Sequence, residues 1–70
     1  MGPLPGLRYL RMSRSMTQEE LAQASGVSQG YVAALELGRG KDVSLRVARQ
    51  LCEALDVTLS DLETPPPEGP

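Results

Sequence analysis

Seventy residues with a net charge of −2 make one small domain. A core that size is marginal, and helices joined by short loops are its least demanding architecture. Several function classes drop out at once. Cys52 is the single cysteine, so no internal disulfide forms, which fits a reducing, cytoplasmic setting. No apolar run approaches the ~20 residues that span a bilayer, and no basic segment followed by an apolar one opens the chain, so neither a membrane span nor a signal peptide is expected.

The charge is unevenly placed. Residues 1–52 hold all seven bases (Arg8, Arg11, Arg14, Arg39, Lys41, Arg46, Arg49) against four acids, a local charge of +3. Residues 53–70 hold five acids and no base. A basic body with an acidic end is compatible with phosphate contact by the basic part, and equally with an ordinary solvated surface.

In chain order, residues 1–6 read as an irregular leader. A first helix runs from about Leu7 to Ser13, with Leu7 and Leu10 on one face and Arg8, Arg11 and Arg14 as a second stripe at a spacing of three. Thr17 and Glu20 form a Thr-x-x-Glu capping box that opens a second helix, with Leu21 inward. That helix ends near Ala24 or Ser25, where Gly26 supplies a left-handed turn. Ser28 caps a third helix with Val32 and Leu35 inward and Tyr31 beside the core. Gly38 and Gly40 open a loop. Ser44 caps a fourth helix whose apolar face is Leu45, Ala48, Leu51, Cys52 and Leu55. Thr58, with Asp61 reciprocal to it, caps a last short turn carrying Leu59 and Leu62. Residues 63–70 read as a Pro-rich flexible tail. The pattern is all-α, with five helices over residues 7–62 and a helix-turn-helix over about 18–37.

These residues resemble the Cro/C1-type helix-turn-helix family, also called the XRE family. The resemblance rests on Met16-Thr17-Gln18-Glu19-Glu20-Leu21-Ala22, on Gly26, Val27, Val32 and Leu35, and on Ser44-Leu45 through Leu55 followed by Val57-Thr58-Leu59 and Leu62. Ala22 is small where two helices cross, and Gly26 permits positive φ at the turn. The resemblance implies a compact lambda-repressor-like fold. It implies a sequence-specific DNA-binding transcription regulator, expected to be a repressor, acting on double-stranded DNA as a homodimer without a cofactor.

Carried over residue by residue, the resemblance makes Arg11 and Glu36 an ion pair between the first and third helices. Gln18 is expected to meet a phosphate through its side chain or the helix N-terminus. Ser28, Gln29, Gly30, Ala33 and Ala34 fall at positions that face the major groove in relatives. Gln29 is the best base reader, Ala33 suits a thymine methyl, and Gly30 permits close backbone approach. Tyr31 either reaches a phosphate or packs. Arg39 and Lys41 are expected at phosphates or free in solvent. Val57, Leu59 and Leu62 are candidate dimer contacts, or close the core.

Some positions depart from the family pattern. Gln29 is the only long polar side chain on the groove side of the third helix, with no Arg or Lys between Ser28 and Leu37. Readout is then modest, or comes from DNA shape and paired half-sites. Ser15 stands where Gly is common, so that corner is expected to be built differently, whereas Asp56 tolerates its left-handed position. An alternative reading is a protein-interaction module, an antitoxin or regulatory partner, with weak or no DNA binding. An enzyme is not expected. There is no His, no metal-ligand cluster and no Gly-rich phosphate loop with a Lys. Cys52 reads as a small core residue.

Overall fold

Five helices follow one another in the computed structural model, which describes residues 4–39 and 43–67. They are α1 (Leu7–Ser13), α2 (Gln18–Ser25), α3 (Gln29–Glu36), α4 (Leu45–Leu55) and α5 (Leu59–Glu63), with no strand among the described residues. α2 packs on both α3 and α4, α1 packs on α3 and α5, and α5 also touches α4.

One sequence device starts four of the five helices. Thr17, Ser28, Ser44 and Thr58 are extended N-caps whose hydroxyls accept from the backbone N–H three residues on. At Thr17 and Thr58 the acid three residues later returns the bond to the cap N–H, at 2.8 Å from Glu20 and 2.9 Å from Asp61. Each cap contributes about 1 kcal/mol. Flanking each cap is an apolar pair, one residue before it and four after it: Met16 and Leu21, Val27 and Val32, Val43 and Ala48, Val57 and Leu62. All eight lie in the core or against it. This is the register of the hydrophobic staple, which fixes the angle at which chain meets helix. Staple and helix periodicity together fill the core: Leu21, Val32, Ala48, Leu51 and Leu62 are fully buried.

The staple accounts for two departures from the helical pattern. Val43 is buried although it belongs to no helix, because it fills the space at the start of α4. Leu45, expected on the inward face, is instead 49 % exposed. The inward face begins one turn later, at Ala48, and Cys52 is only half-buried against it. The chain ends also differ from expectation. Residues 4–6 are irregular but not loose: Leu4 is buried, and the Gly6 N–H donates to the Leu62 carbonyl at 2.9 Å. A Cβ on Gly6 would stand 2.5 Å from the Asp61 carbonyl oxygen and 2.7 Å from that of Thr64. Glu63 belongs to α5 rather than to the tail, and the Thr64 hydroxyl donates to the Ser60 carbonyl.

The corner between α1 and α2 is built on Ser15 in the left-handed region, φ 54°. The serine does adopt the conformation a glycine would take, so the expectation of a different corner is not met. Its strain is offset by a brace: the Met16 N–H donates to the Arg11 carbonyl, and Arg11 Nη1 donates to the Met16 carbonyl at 2.7 Å. The same guanidinium reaches α3. Arg11 Nε and Nη2 donate to the two carboxylate oxygens of Glu36, at 2.6 and 3.0 Å, and Gln18 Nε2 donates to the same carboxylate at 3.1 Å. The side chains are 12 % and 4 % exposed. Burial pushes the Glu36 carboxyl up. Hydrogen bonds from Arg11 and Gln18, with the charges of Arg11 and Arg8, outweigh it and hold the group below the usual carboxylate range. The Glu36 bond outweighs burial at Arg11 too, so the guanidinium is held charged.

Gly26→Ala meets no atom but must hold φ +77°, a strain of about 1–2 kcal/mol. Gly6→Ala meets two backbone oxygens and must force α5 outward, so its urea midpoint should fall further than that of Gly26→Ala; the reverse ranking contradicts the packing assigned to residues 4–6. For Glu36, the lowered folded pKa means that its contribution is complete above the ordinary carboxylate range and drains as pH falls through it. Glu36→Gln, which strands Arg11, should cost about 3–5 kcal/mol at neutral pH, and Arg11→Met/Glu36→Leu should recover much of that. Stability measured from about pH 6 to 3 should then fall less steeply in Glu36→Gln than in the wild type. Parallel curves would remove Glu36 from the acid response.

Candidate nucleic-acid interface

α3 is set by what lies behind it. The Ser25 hydroxyl, buried at the end of α2, accepts from the Val27 N–H at 3.2 Å, and Gly26 turns the chain at φ 77°. Ser28 then caps α3, with Val32 and Leu35 buried below. The opposite side is left outward. Ser28, Gln29 and Gly30 are exposed, and a Cβ on Gly30 would meet nothing within 4 Å. Ala33 and Ala34 are half-buried, so the α3 surface changes from a polar, open first turn to a small apolar second turn. A shallow groove beside the first turn is lined by Glu19, Ala22, Gln23, Gly26, Val27, Ser28 and Gln29.

The other expected site residues fall in several places. Gln18 opens α2 beside this surface, but its side chain is half-buried and engaged with Glu36. One amide hydrogen and the first backbone N–H groups of α2 remain for an anion. Tyr31 is half-buried against the core, so packing occupies its ring. Arg39 is exposed beyond α3, tied by its N–H to the Ala34 carbonyl at 2.9 Å. Lys41 lies outside the described residues. Leu62 is fully buried in the monomer and so cannot serve as a dimer contact; Val57 and Leu59 keep part of their surface.

Sequence reasoning missed the surroundings of the ion pair. Arg8, Arg11, Gln18, Ala33, Glu36 and Leu37 line one cleft. Leu37 at its edge is 68 % exposed. The signal for Arg8 was present, since it stands three residues before Arg11 on the same helix.

Burial raises the Cys52 thiol, and the charges of Asp61 and Glu53 raise it further, which leaves it protonated at neutral pH. Among the described residues, no group of His, Cys, Asp and Glu is placed to hold a metal ion, and no helix is long and apolar enough to cross a membrane.

Comparison with known proteins agrees with this geometry. The helix-turn-helix family model HTH_3 matches residues 7–62, from the start of α1 to the last buried leucine. An uncharacterized HTH-type transcriptional regulator, y4dJ of Sinorhizobium fredii, is 39 % identical over 61 residues, covering 87 % of this chain and 78 % of that protein. Another uncharacterized HTH-type regulator, from Methanocaldococcus jannaschii, is 36 % identical over 56 residues, 80 % of this chain and 83 % of that protein. Among solved structures, the restriction-modification controller protein C.AhdI of Aeromonas hydrophila superposes with a TM-score of 0.76 at 38 % identity, over 81 % of this chain and 85 % of that one. The clp gene regulator ClgR of Corynebacterium glutamicum superposes with a TM-score of 0.74 at 42 % identity, over 81 % of this chain and 60 % of that one. The capped helices, the glycine corner and the match along the whole helical body agree: the chain belongs to the Cro/C1-type helix-turn-helix family of transcriptional regulators.

Proposed function

We propose that this protein is a sequence-specific DNA-binding regulator, a repressor, that lays the outer side of α3 in the major groove of a duplex. The observation that carries the reading is the division of α3 into two sides. Val32 and Leu35 anchor it from below, while Ser28, Gln29 and Gly30 stand clear of the body. Gln29 is the base reader on this reading, since its amide both donates and accepts, as adenine requires. Gly30 lets the α3 backbone approach the base edges, and Ala33 offers a methyl for apolar contact. The α2 N-terminus, with Gln18, and Arg39 beyond α3 supply phosphate contacts on either side.

One long polar side chain gives little direct discrimination, about 1–3 kcal/mol for a good bidentate contact. Two copies on a roughly palindromic site supply the rest, together with the stiffness of the DNA between them. Val57 and Leu59, which keep part of their surface, are the proposed dimer contacts. The same lack of cations on α3 favours a second reading, a protein-interaction module on this fold. A titration of labelled duplex at several salt concentrations separates the two. Steeply salt-dependent binding supports DNA recognition, and no binding by micromolar protein at ~50 mM salt supports the module.

Within the first reading, Gln29→Ala should reduce the preference for a selected operator over random duplex more than it reduces total binding. An equal loss on both removes Gln29 as a base reader. Arg39→Ala should weaken binding to all duplexes alike and lower the magnitude of the salt slope by about 0.9. An unchanged slope removes Arg39 from the phosphate contacts.

A further inference from the structure

The cleft beside the ion pair has a composition that nothing above explains. It lies where α1, the start of α2 and the end of α3 meet, and its volume is about 280 Å³. That is below the roughly 300–1,000 Å³ of a site that encloses a small ligand. A strand passing across its mouth needs to place only one group there. Gln18 and Ala33, two of its walls, already belong to the proposed DNA surface.

The charges at the cleft do not cancel. Arg11 and Glu36 neutralise one another through two hydrogen bonds. Both Glu36 oxygens accept hydrogen bonds and its side chain is 4 % exposed, so its charge is already matched inside the cluster. Arg11 has used three of its five N–H donors, and two remain. Arg8 adds one further positive charge. It is exposed, lines the same cleft and finds no acceptor for its guanidinium among the described residues. It stands one helical turn before Arg11, on the side of α1 that lines the cleft. Arg14, the third arginine of the stripe, turns elsewhere, toward the Asp56 carbonyl at 3.4 Å.

We propose that Arg8 binds a backbone phosphate of the duplex at the mouth of the cleft between α1 and the end of α3, beside the spare donors of Arg11 and Gln18. The contact adds α1 to the DNA surface, and it rests on the DNA-binding reading above. A guanidinium suits the task because its planar fork meets two phosphate oxygens at once. The buried pair beneath gives that fork a fixed floor, so the phosphate reports the position of α1 relative to α3.

The test is fluorescence anisotropy of the full chain on a labelled mixed-sequence duplex across a salt series, with wild type, Arg8→Gln, Arg8→Lys and Arg49→Gln. Arg49 is exposed on α4, away from the cleft, and controls for loss of charge alone. Arg8→Gln should lower the magnitude of the salt slope by about 0.9 and weaken binding roughly tenfold at ~0.1 M salt. Arg8→Lys should restore the slope, and Arg49→Gln should leave it at the wild-type value. Thermal melting of Arg8→Gln should stay close to the wild type, since the exposed side chain makes no hydrogen bond within the described residues and its charge is the smallest of the influences on Glu36. A steep wild-type slope that Arg8→Gln changes no more than Arg49→Gln overturns the Arg8 contact and leaves the DNA-binding reading standing. A wild type that binds no duplex overturns both.

Discussion

The Arg11–Glu36 pair is the constraint on which the rest of this structure depends. α1 and α3 are separated by 25 positions in the ion pair, and each is only two turns long. Helices of that length are not stable alone. A planar guanidinium gripping a carboxylate at two points fixes both distance and rotation, which a sliding contact between leucines does not. The third bond, from Arg11 to the Met16 carbonyl, ties the same side chain to the α1–α2 corner. The fourth, from Gln18, brings in the start of α2. One buried cluster therefore orients three helices around the end of α3. Such a cluster adds little net stability compared with apolar replacements. Its value lies in holding one arrangement.

The fold around it was legible where helices announce their own beginnings. Thr17, Ser28, Ser44 and Thr58 are hydroxyl caps before apolar runs, and each stands at the residue before its helix. Asp56 takes its left-handed turn as expected of a short polar side chain. What escaped were residues held by tertiary closure rather than by periodicity. Leu4 and Gly6 stand before the periodic pattern begins, yet Leu4 is buried and the Gly6 N–H donates to Leu62 of α5. Val43 was legible in principle, one residue before a cap, by the same rule that buries Val27. Leu45 shows the reverse error: helical spacing put it inward, but at the first residue of α4 about half of it stays exposed.

The surface of α3 was less legible than its anchor. Sequence spacing separates Val32 and Leu35 from Gln29 and Gly30, because a helix presents its two sides at a fixed period. It does not say what neighbours a residue across the fold. Gln18 is the example. Its position at the start of α2 suggested a phosphate contact through its side chain or the helix N-terminus, and only the fold shows that amide meeting Glu36. Tyr31 likewise spends its ring on packing, which leaves a nearly uncharged helix between cationic flanks. Affinity on this plan comes from the rim and selectivity from shape, spacing and one glutamine.

The most direct test of the central claim is NMR shift mapping of the chain on adding an unlabelled duplex. The account predicts that the backbone amides of Gln29, Gly30 and Ala33 and the side-chain amide of Gln29 move most, with those of Gln18 and Arg39 next. The far side, Glu53 to Leu55 at the end of α4, should stay in place. Shifts confined to α4 and α5, with the first turn of α3 unmoved, would contradict it.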